Sequence, residues 1–194
     1  RAELPEGYRV TLAGGSQAFV ESFKSLGFVM ILGLLIAYMI LASQFNSFVH
    51  PVTVLLALPF SVSGALIALM ATGNSLNLYS VLGVILLLGI VKKNSILLVE
   101  FANRRAAEKG LDPKAAMLEA GPIRLRPILM TSFAIIVAAI PPALMSGAGA
   151  ETRIPMSVTV IGGVLISTFF SLLVVPCAYG LTGKKAAKAP VAPV

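Results

Sequence analysis

The sequence has little of what a soluble protein needs on its surface. Charged residues make up only 12% of its 194 residues and hydrophobic residues 57%, whereas about a quarter of a soluble domain is charged. Tryptophan is absent, and cysteine and histidine occur once each. These counts exclude a disulfide framework and a metal centre built from thiolates or histidines. The scarcity of charge excludes a soluble enzyme, and the high hydrophobicity excludes intrinsic disorder.

Five apolar runs are each long enough to cross a bilayer, for which a helix needs about 20 residues. They cover residues 23–41, 49–71, 76–102, 128–145 and 154–181. Prolines within these runs are tolerated in membrane helices, because neighbouring helices and polar side chains satisfy the freed backbone groups. We therefore predict an all-α polytopic membrane protein with five transmembrane helices and no enzymatic site.

The segments outside these runs suggest the domain organisation. Residues 1–17 contain no apolar run and are interpreted as the end of a periplasmic domain and a linker, which leads us to expect a portion of a longer protein. Residues 18–182 form the membrane region. Within it, residues 108–122 predict a short amphipathic helix on the cytoplasmic face, with Asp112 as its N-cap and Pro113 at its first position. Residues 183–194 are small, basic and proline-bearing, and predict a disordered cytoplasmic tail.

The basic residues predict the orientation, because cytoplasmic loops of membrane proteins are enriched in lysine and arginine. In a five-span topology, nine of the 15 basic residues lie on one side, in the 103–127 connection and the tail, and four on the other, at Arg1, Arg9, Lys24 and Arg153. We therefore predict a periplasmic N-terminus and a cytoplasmic C-terminus. The net charge of +7 then reflects topology and not nucleic-acid binding.

The two remaining lysines, Lys92 and Lys93, lie inside the third run. If the run is one helix, Lys93 is about 16 Å from Arg104 along the axis, near the middle of a core about 30 Å thick. A charge there costs at least about 2.5–3.5 kcal/mol and usually marks an ion or proton pathway. Successive residues point about 100° apart, so both lysines cannot face one partner. Asn94 adds a polar group to the same turn, and Glu100, two turns closer to the cytoplasm, is interpreted as a tether for the helix end.

A second group of polar residues lies at the start of the fourth run. Arg124 and Thr131 are seven residues apart and share a face if the helix already includes Arg124. Pro127 fits an early helical position. Arg124 and Arg126 are also compatible with an ordinary basic flank, and the Thr131 hydroxyl with a bond to its own helix. A lysine facing an arginine and a threonine is what a proton relay requires, together with a carboxylate, but no acid lies deep in the first, second, fourth or fifth run.

At these residues the chain resembles the C-terminal membrane region of resistance-nodulation-division (RND) efflux transporters, in particular the hydrophobe/amphiphile multidrug branch. The resemblance covers essentially the whole chain and rests on blocks in the family's order: ASQFNS at 42–47, LGIVKKNSI at 88–96 with VEF at 99–101, RLRPILMTS at 124–132, GAGAE at 147–151, and residues 155–176 with IGG at 161–163. The lysine-asparagine pair is similar to that of the drug-exporting branch, whereas heavy-metal exporters of the superfamily lack this lysine.

The resemblance implies that the chain supplies helices eight to twelve of a twelve-helix transporter. It implies a proton relay in which Lys93 pairs with two aspartates on the fourth helix, and in which Arg124 and Thr131 take part. Residues that could support this relay are Lys92, Asn94 and Glu100. Which lysine faces the aspartates stays open, and Lys93 is favoured because it directly precedes the asparagine. Drugs bind in the periplasmic porter domain of such pumps, so we expect no substrate-binding residue here.

The resemblance also implies partners and a location. Such a pump is a homotrimer in the bacterial inner membrane, acts with a periplasmic adaptor and an outer-membrane channel, and uses H⁺ as coupling ion without a cofactor. Three alternatives differ in class: an autonomous membrane scaffold or assembly protein, an RND-fold protein-translocation component, and a retinal photoreceptor, which needs seven helices. A start codon just before Arg1 would favour the scaffold, and an upstream frame with two adjacent intramembrane aspartates would favour the pump.

Overall fold

The structure, a computed structural model, describes residues 14–182 and folds them into helices, with no strand in that range. The helices are α1 Gly15–Phe45, α2 His50–Leu55, α3 Ala57–Ala71, α4 Leu78–Lys109, α5 Pro113–Ala143 and α6 Ala150–Thr182. The predicted tail at 183–194 and most of the predicted periplasmic end at 1–17 lie outside the described residues. The last residues of that N-terminal stretch, from Gly15 on, already belong to α1.

Five helical segments of the described range are long and apolar enough to cross a membrane, which confirms the predicted number of spans. The second of them, His50–Ala71, consists of α2 and α3, which are separated only at Leu56. Pro59 lies one turn after Leu55 and has no N–H to donate to the Leu55 carbonyl. This missing hydrogen bond explains the interruption at Leu56. Because α3 begins at the next residue, the two helices still form one continuous span.

The fourth span differs most from the sequence prediction. α5 begins at Pro113 and runs without a break to Ala143, so residues 108–122 do not form a separate amphipathic helix. Asp112 occupies the N-cap position and Pro113 the first turn, as predicted, but the Asp112 side chain makes no capping hydrogen bond. Pro127 was predicted at an early helical position, and this is wrong. It lies inside the helix, which has already begun at Pro113, where a proline costs little.

α6 is the central helix of the bundle and packs against α3, α4 and α5. Its contact with α3 depends on small residues. A Cβ added to Gly162 would overlap the Cβ of Ala68 and lie 2.8 Å from the carbonyl oxygen of Gly64. Small residues let membrane helices approach backbone to backbone. Gly162 and Gly163 are therefore packing residues.

α4 and α6 run parallel at a constant offset of 76 residues. The paired residues are Gly83 with Thr159, Leu87 with Gly163, and Asn103 with Tyr179. At the last of these pairs the tyrosine hydroxyl donates to the asparagine Oδ1 at 2.5 Å. The third and fifth spans of one chain run in the same direction, because the fourth span between them crosses the membrane in the opposite direction.

α1 lies at the edge of the bundle. Leu41 is its only buried residue, and only 6% of its most apolar stretch is buried within the described part of the chain. Its other apolar side chains, such as Phe28 and Ile31, are about two thirds exposed, at 67% and 66%. An apolar surface of this length needs lipid or further protein around it.

Candidate functional site

The lysine pair lies at the middle of α4. The helix starts with a reciprocal cap, in which the Ser80 N–H donates to Asn77 Oδ1 at 2.9 Å and the Asn77 N–H donates to the Ser80 hydroxyl at 2.8 Å. It ends at Gly110, where φ is 62°, a left-handed value that favours glycine. Lys93 is therefore about 23 Å from either end at 1.5 Å per residue, as expected for a position at mid-depth.

Lys92 and Lys93 border the same groove, which lies between α1 and α4 and has a volume of about 350 Å³. Its lining residues are Ala37, Ile40, Leu41, Gln44, Gly89, Lys92, Lys93, Ile96 and Leu97. Their long side chains flank one wide depression, and whether both could face one partner there stays a prediction. Within the described residues, neither amino group forms an ion pair.

Asn94 is directed into the interface of α4, α5 and α6 and is only 8% exposed. Its Nδ2 donates to Ser132 Oγ at 3.4 Å, and its Oδ1 lies 3.5 Å from the Thr131 hydroxyl. Ser132 Oγ in turn is 2.8 Å from Thr168 Oγ1 on α6. We call these four residues the polar bridge. It joins the turn that carries the lysines to both neighbouring helices.

The Thr131 hydroxyl has one hydrogen and two acceptors within reach. It donates to the Ile128 carbonyl of its own helix at 3.0 Å, and the contact with Asn94 is longer, at 3.5 Å. Because O–H···O bonds are usually about 2.7–2.8 Å long, the bond to the backbone is the stronger one. The bond of the Thr131 hydroxyl to its own helix, which the sequence left open, is therefore present. Rotation of the hydroxyl towards Asn94 would strengthen the longer contact.

Arg124 belongs to α5, as its alignment with Thr131 required, and it packs against an aromatic ring. Its guanidinium carbon lies 4.4 Å from the centre of the Phe101 ring, and that of Arg105 lies 5.2 Å away. The Arg124 Nε is buried without a hydrogen-bond partner in the described part of the chain. Arg124 is about 10 Å from Thr131 along the helix axis, so the structure brings Thr131 to Asn94 but leaves Arg124 two turns away.

Glu100 is exposed and forms no ion pair with any described residue, so the tether predicted for it is not observed. A different pair joins the ends of α4 and α5. Lys109 Nζ lies 2.7 Å from Glu119 Oε1, across the turn between the two helices. A weaker contact of 3.9 Å connects Arg105 with Glu108 on α4 itself.

Sequence reasoning did not identify Ser132 and Thr168 as part of the site. Both are hydroxyl residues in apolar spans and are buried, at 3% and 8% exposure. A serine or threonine in a membrane helix commonly bonds to its own backbone, so the residue types alone did not distinguish these two. The signal that could have found Ser132 was its position directly after Thr131.

Comparisons with known proteins agree on one kind of membrane protein. The model of the AcrB/AcrD/AcrF family matches residues 1–183. The structure is also similar to the X-ray crystal structure of a heavy metal efflux pump, with a TM-score of 0.80 and 27% sequence identity. The similarity covers 93% of this chain and 18% of that chain, so this sequence spans less than a fifth of that pump's length.

Proposed function

This chain belongs to the AcrB/AcrD/AcrF family of RND transporters, and on that premise we propose that it is the C-terminal membrane portion of a proton-driven efflux pump. It would supply transmembrane helices eight to twelve and the cationic side of a proton relay formed by Lys93, Arg124 and Thr131. Lys92, Asn94 and Glu100 would support that relay. The observation that carries the proposal is the position of Lys93 at the midpoint of α4, without a counter-charge among the described residues.

A lysine at that depth requires an acidic partner, because an unpaired charge in the hydrocarbon core is costly. We assign this partner to aspartates on the fourth helix of the same polypeptide. At an effective dielectric constant of 20, two unit charges 4 Å apart attract each other by about 4 kcal/mol. Protonation of one aspartate from the periplasm removes an attraction of that size. A bias of about 4 kcal/mol changes a two-state equilibrium about a thousandfold, which is sufficient to repack helices.

We propose that the exported compounds are hydrophobic and amphiphilic molecules. The support is the Lys93-Asn94 pair, which is similar to the drug-exporting branch of the family. The 27% identity to a heavy metal efflux pump makes metal cations the competing substrate class. On this proposal the substrates bind in the periplasmic portion of the pump, and the membrane residues of this chain take part only in proton coupling.

The proposed setting follows from the family and from the charge distribution. The pump would be a homotrimer in the bacterial inner membrane and would act with a periplasmic adaptor and an outer-membrane channel. Its N-terminal side would face the periplasm and its C-terminus the cytoplasm, since most of the basic residues lie in the connection 103–127 and the tail. The coupling ion would be H⁺, without a further cofactor and without nucleic acid as a partner.

The test is Lys93→Ala in the full-length pump, with Lys109→Ala as the matched control, because Lys109 lies on the same helix but outside the relay. Cells lacking their own pumps are loaded with ethidium, and efflux is followed after energisation; parallel cells are challenged with Cu⁺ and Zn²⁺. We expect Lys93→Ala to abolish ethidium efflux with normal expression and trimer assembly, and Lys109→Ala to retain most of it. Near-normal efflux by Lys93→Ala would refute the relay, and protection against the metals alone would refute the substrate class.

A further inference from the structure

The hydroxyls of Ser132 and Thr168 differ from other buried hydroxyls of the bundle in what they bond to. Ser61, Thr159 and Ser167 each donate to a carbonyl of their own helix, at 2.7, 2.7 and 3.1 Å. Ser132 and Thr168 bond to each other across two helices at 2.8 Å. A bond within one helix leaves neighbouring helices free to rotate relative to each other, whereas a bond between helices fixes their relative rotation.

The bonds of the polar bridge are unequal in length. The bond between α5 and α6 is 2.8 Å long, which is typical of a good O–H···O bond. The two contacts from α5 to Asn94 are 3.4 and 3.5 Å, longer than the usual 2.7–3.2 Å of N–H···O bonds or the shorter O–H···O range. Ser132 and Thr168 thus form a firm pair, and the Asn94 amide is held against it loosely.

The pair lies at the level of the lysines. The constant offset of 76 residues between α4 and α6 places Thr168 beside Lys92. Between Arg126 and Glu151 and from Ile154 to Thr182 the sequence contains no Asp, Glu, Lys or Arg. The charged side chains of α4 to α6 at this level are therefore the two lysines. Within the described residues, the side-chain hydrogen bonds of Asn94 go to Thr131 and Ser132 of the bridge.

We propose that Ser132 and Thr168 are positioning residues of the proton relay. The Ser132–Thr168 pair provides a fixed hydrogen-bonding anchor for the Asn94 amide, and Asn94 sets the orientation of the turn that holds Lys93. Because the anchor is firm and the two amide contacts are long, the Asn94 amide shifts relative to Ser132 and Thr131 as Lys93 moves, while α5 and α6 stay paired. This inference rests on the proposed relay and adds to it two residues that touch neither the lysine nor the proton.

The experiment uses the full-length pump in proteoliposomes with an imposed pH gradient, and the variants Ser132→Ala and Thr168→Val. Ser167→Ala is the matched control, because Ser167 is adjacent to Thr168, equally buried and bonded within its own helix. In Ser132→Ala and in Thr168→Val we expect kcat for ethidium transport to fall about fivefold, which is the effect of one buried hydrogen bond. KM should not change in either variant. The pH of half-maximal rate should shift in both variants, and Thr168→Ser should restore both quantities.

A double variant separates positioning from general loosening of the bundle. Ser132→Ala combined with Thr168→Val should be no slower than the slower single variant, because both remove the same anchor. The inference is overturned if the single variants behave like Ser167→Ala, or if they lower kcat without moving the pH profile and without rescue by Thr168→Ser. In either case a dead Lys93→Ala pump would still support the relay itself. An active Lys93→Ala pump would overturn both proposals.

Discussion

Replacing Gly162 by alanine should force α3 and α6 apart. The added Cβ would overlap the Cβ of Ala68 and lie 2.8 Å from the carbonyl oxygen of Gly64, whereas ordinary van der Waals contact begins near 3.4 Å. Overpacking of this kind costs about 1–3 kcal/mol. Two close neighbours, one of them backbone, place this site in the upper half of that range. Alanine's higher helix propensity returns at most about 1 kcal/mol, so we expect a net destabilisation of about 1–2 kcal/mol.

The assay is a heating series on the purified full-length pump in detergent, followed by size-exclusion detection of the intact trimer. Gly162→Ala should lower the midpoint, and Gly121→Ala should not, because a Cβ placed at Gly121 meets no described atom within 4 Å beyond its chain neighbours and the nearby backbone of its own helix. Adding Ala68→Gly to Gly162→Ala should recover part of the loss, since it removes the overlapping methyl group but not the carbonyl contact. If Gly162→Ala melts like the control, the packing argument is wrong.

Two further contacts give predictions with the same assay. Tyr179→Phe removes the hydroxyl that donates to Asn103 at 2.5 Å but keeps the ring stacked on His50. We therefore expect the variant to lose about 1 kcal/mol of stability. An unchanged midpoint would show that this bond contributes nothing. Lys109→Ala breaks an ion pair with Glu119 that is largely exposed to solvent, so the loss of stability should be small and less than that of Tyr179→Phe. That loss should disappear at high salt, and a loss that persists would mean that the pair is shielded.

The number of spans was predictable because long apolar runs report burial in lipid. The ends of the helices were not, because backbone hydrogen bonding continues into segments that are polar. Residues 113–127 contain three prolines and four charged residues, which favoured a break, yet Pro113 occupies the one place where a proline starts a helix readily. α5 therefore includes the basic segment and carries Arg124 as an ordinary helical residue.

The position of Lys93 near the middle of one long helix and the shared helix of Arg124 and Thr131 were predictable from spacing along the sequence. The partners of Asn94 were not, because they depend on the register between helices, which seven-residue spacings do not determine. The same limit applies to Arg124. Its spacing placed it on the face of Thr131, but the antiparallel register of α4 and α5 puts it over Phe101, two turns from the polar bridge.

The parallel pairing of α4 and α6 has a mechanical consequence. The contacts at Gly83, Leu87 and Asn103 extend over about 30 Å of helix at 1.5 Å per residue, which equals the thickness of the hydrocarbon core. Sliding one helix past the other would break all three contacts at once, whereas tilting the two helices together would preserve them. If a change of charge at mid-depth tilts α4, α6 would tilt with it, and the ends of both helices at the two membrane faces would move at the same time.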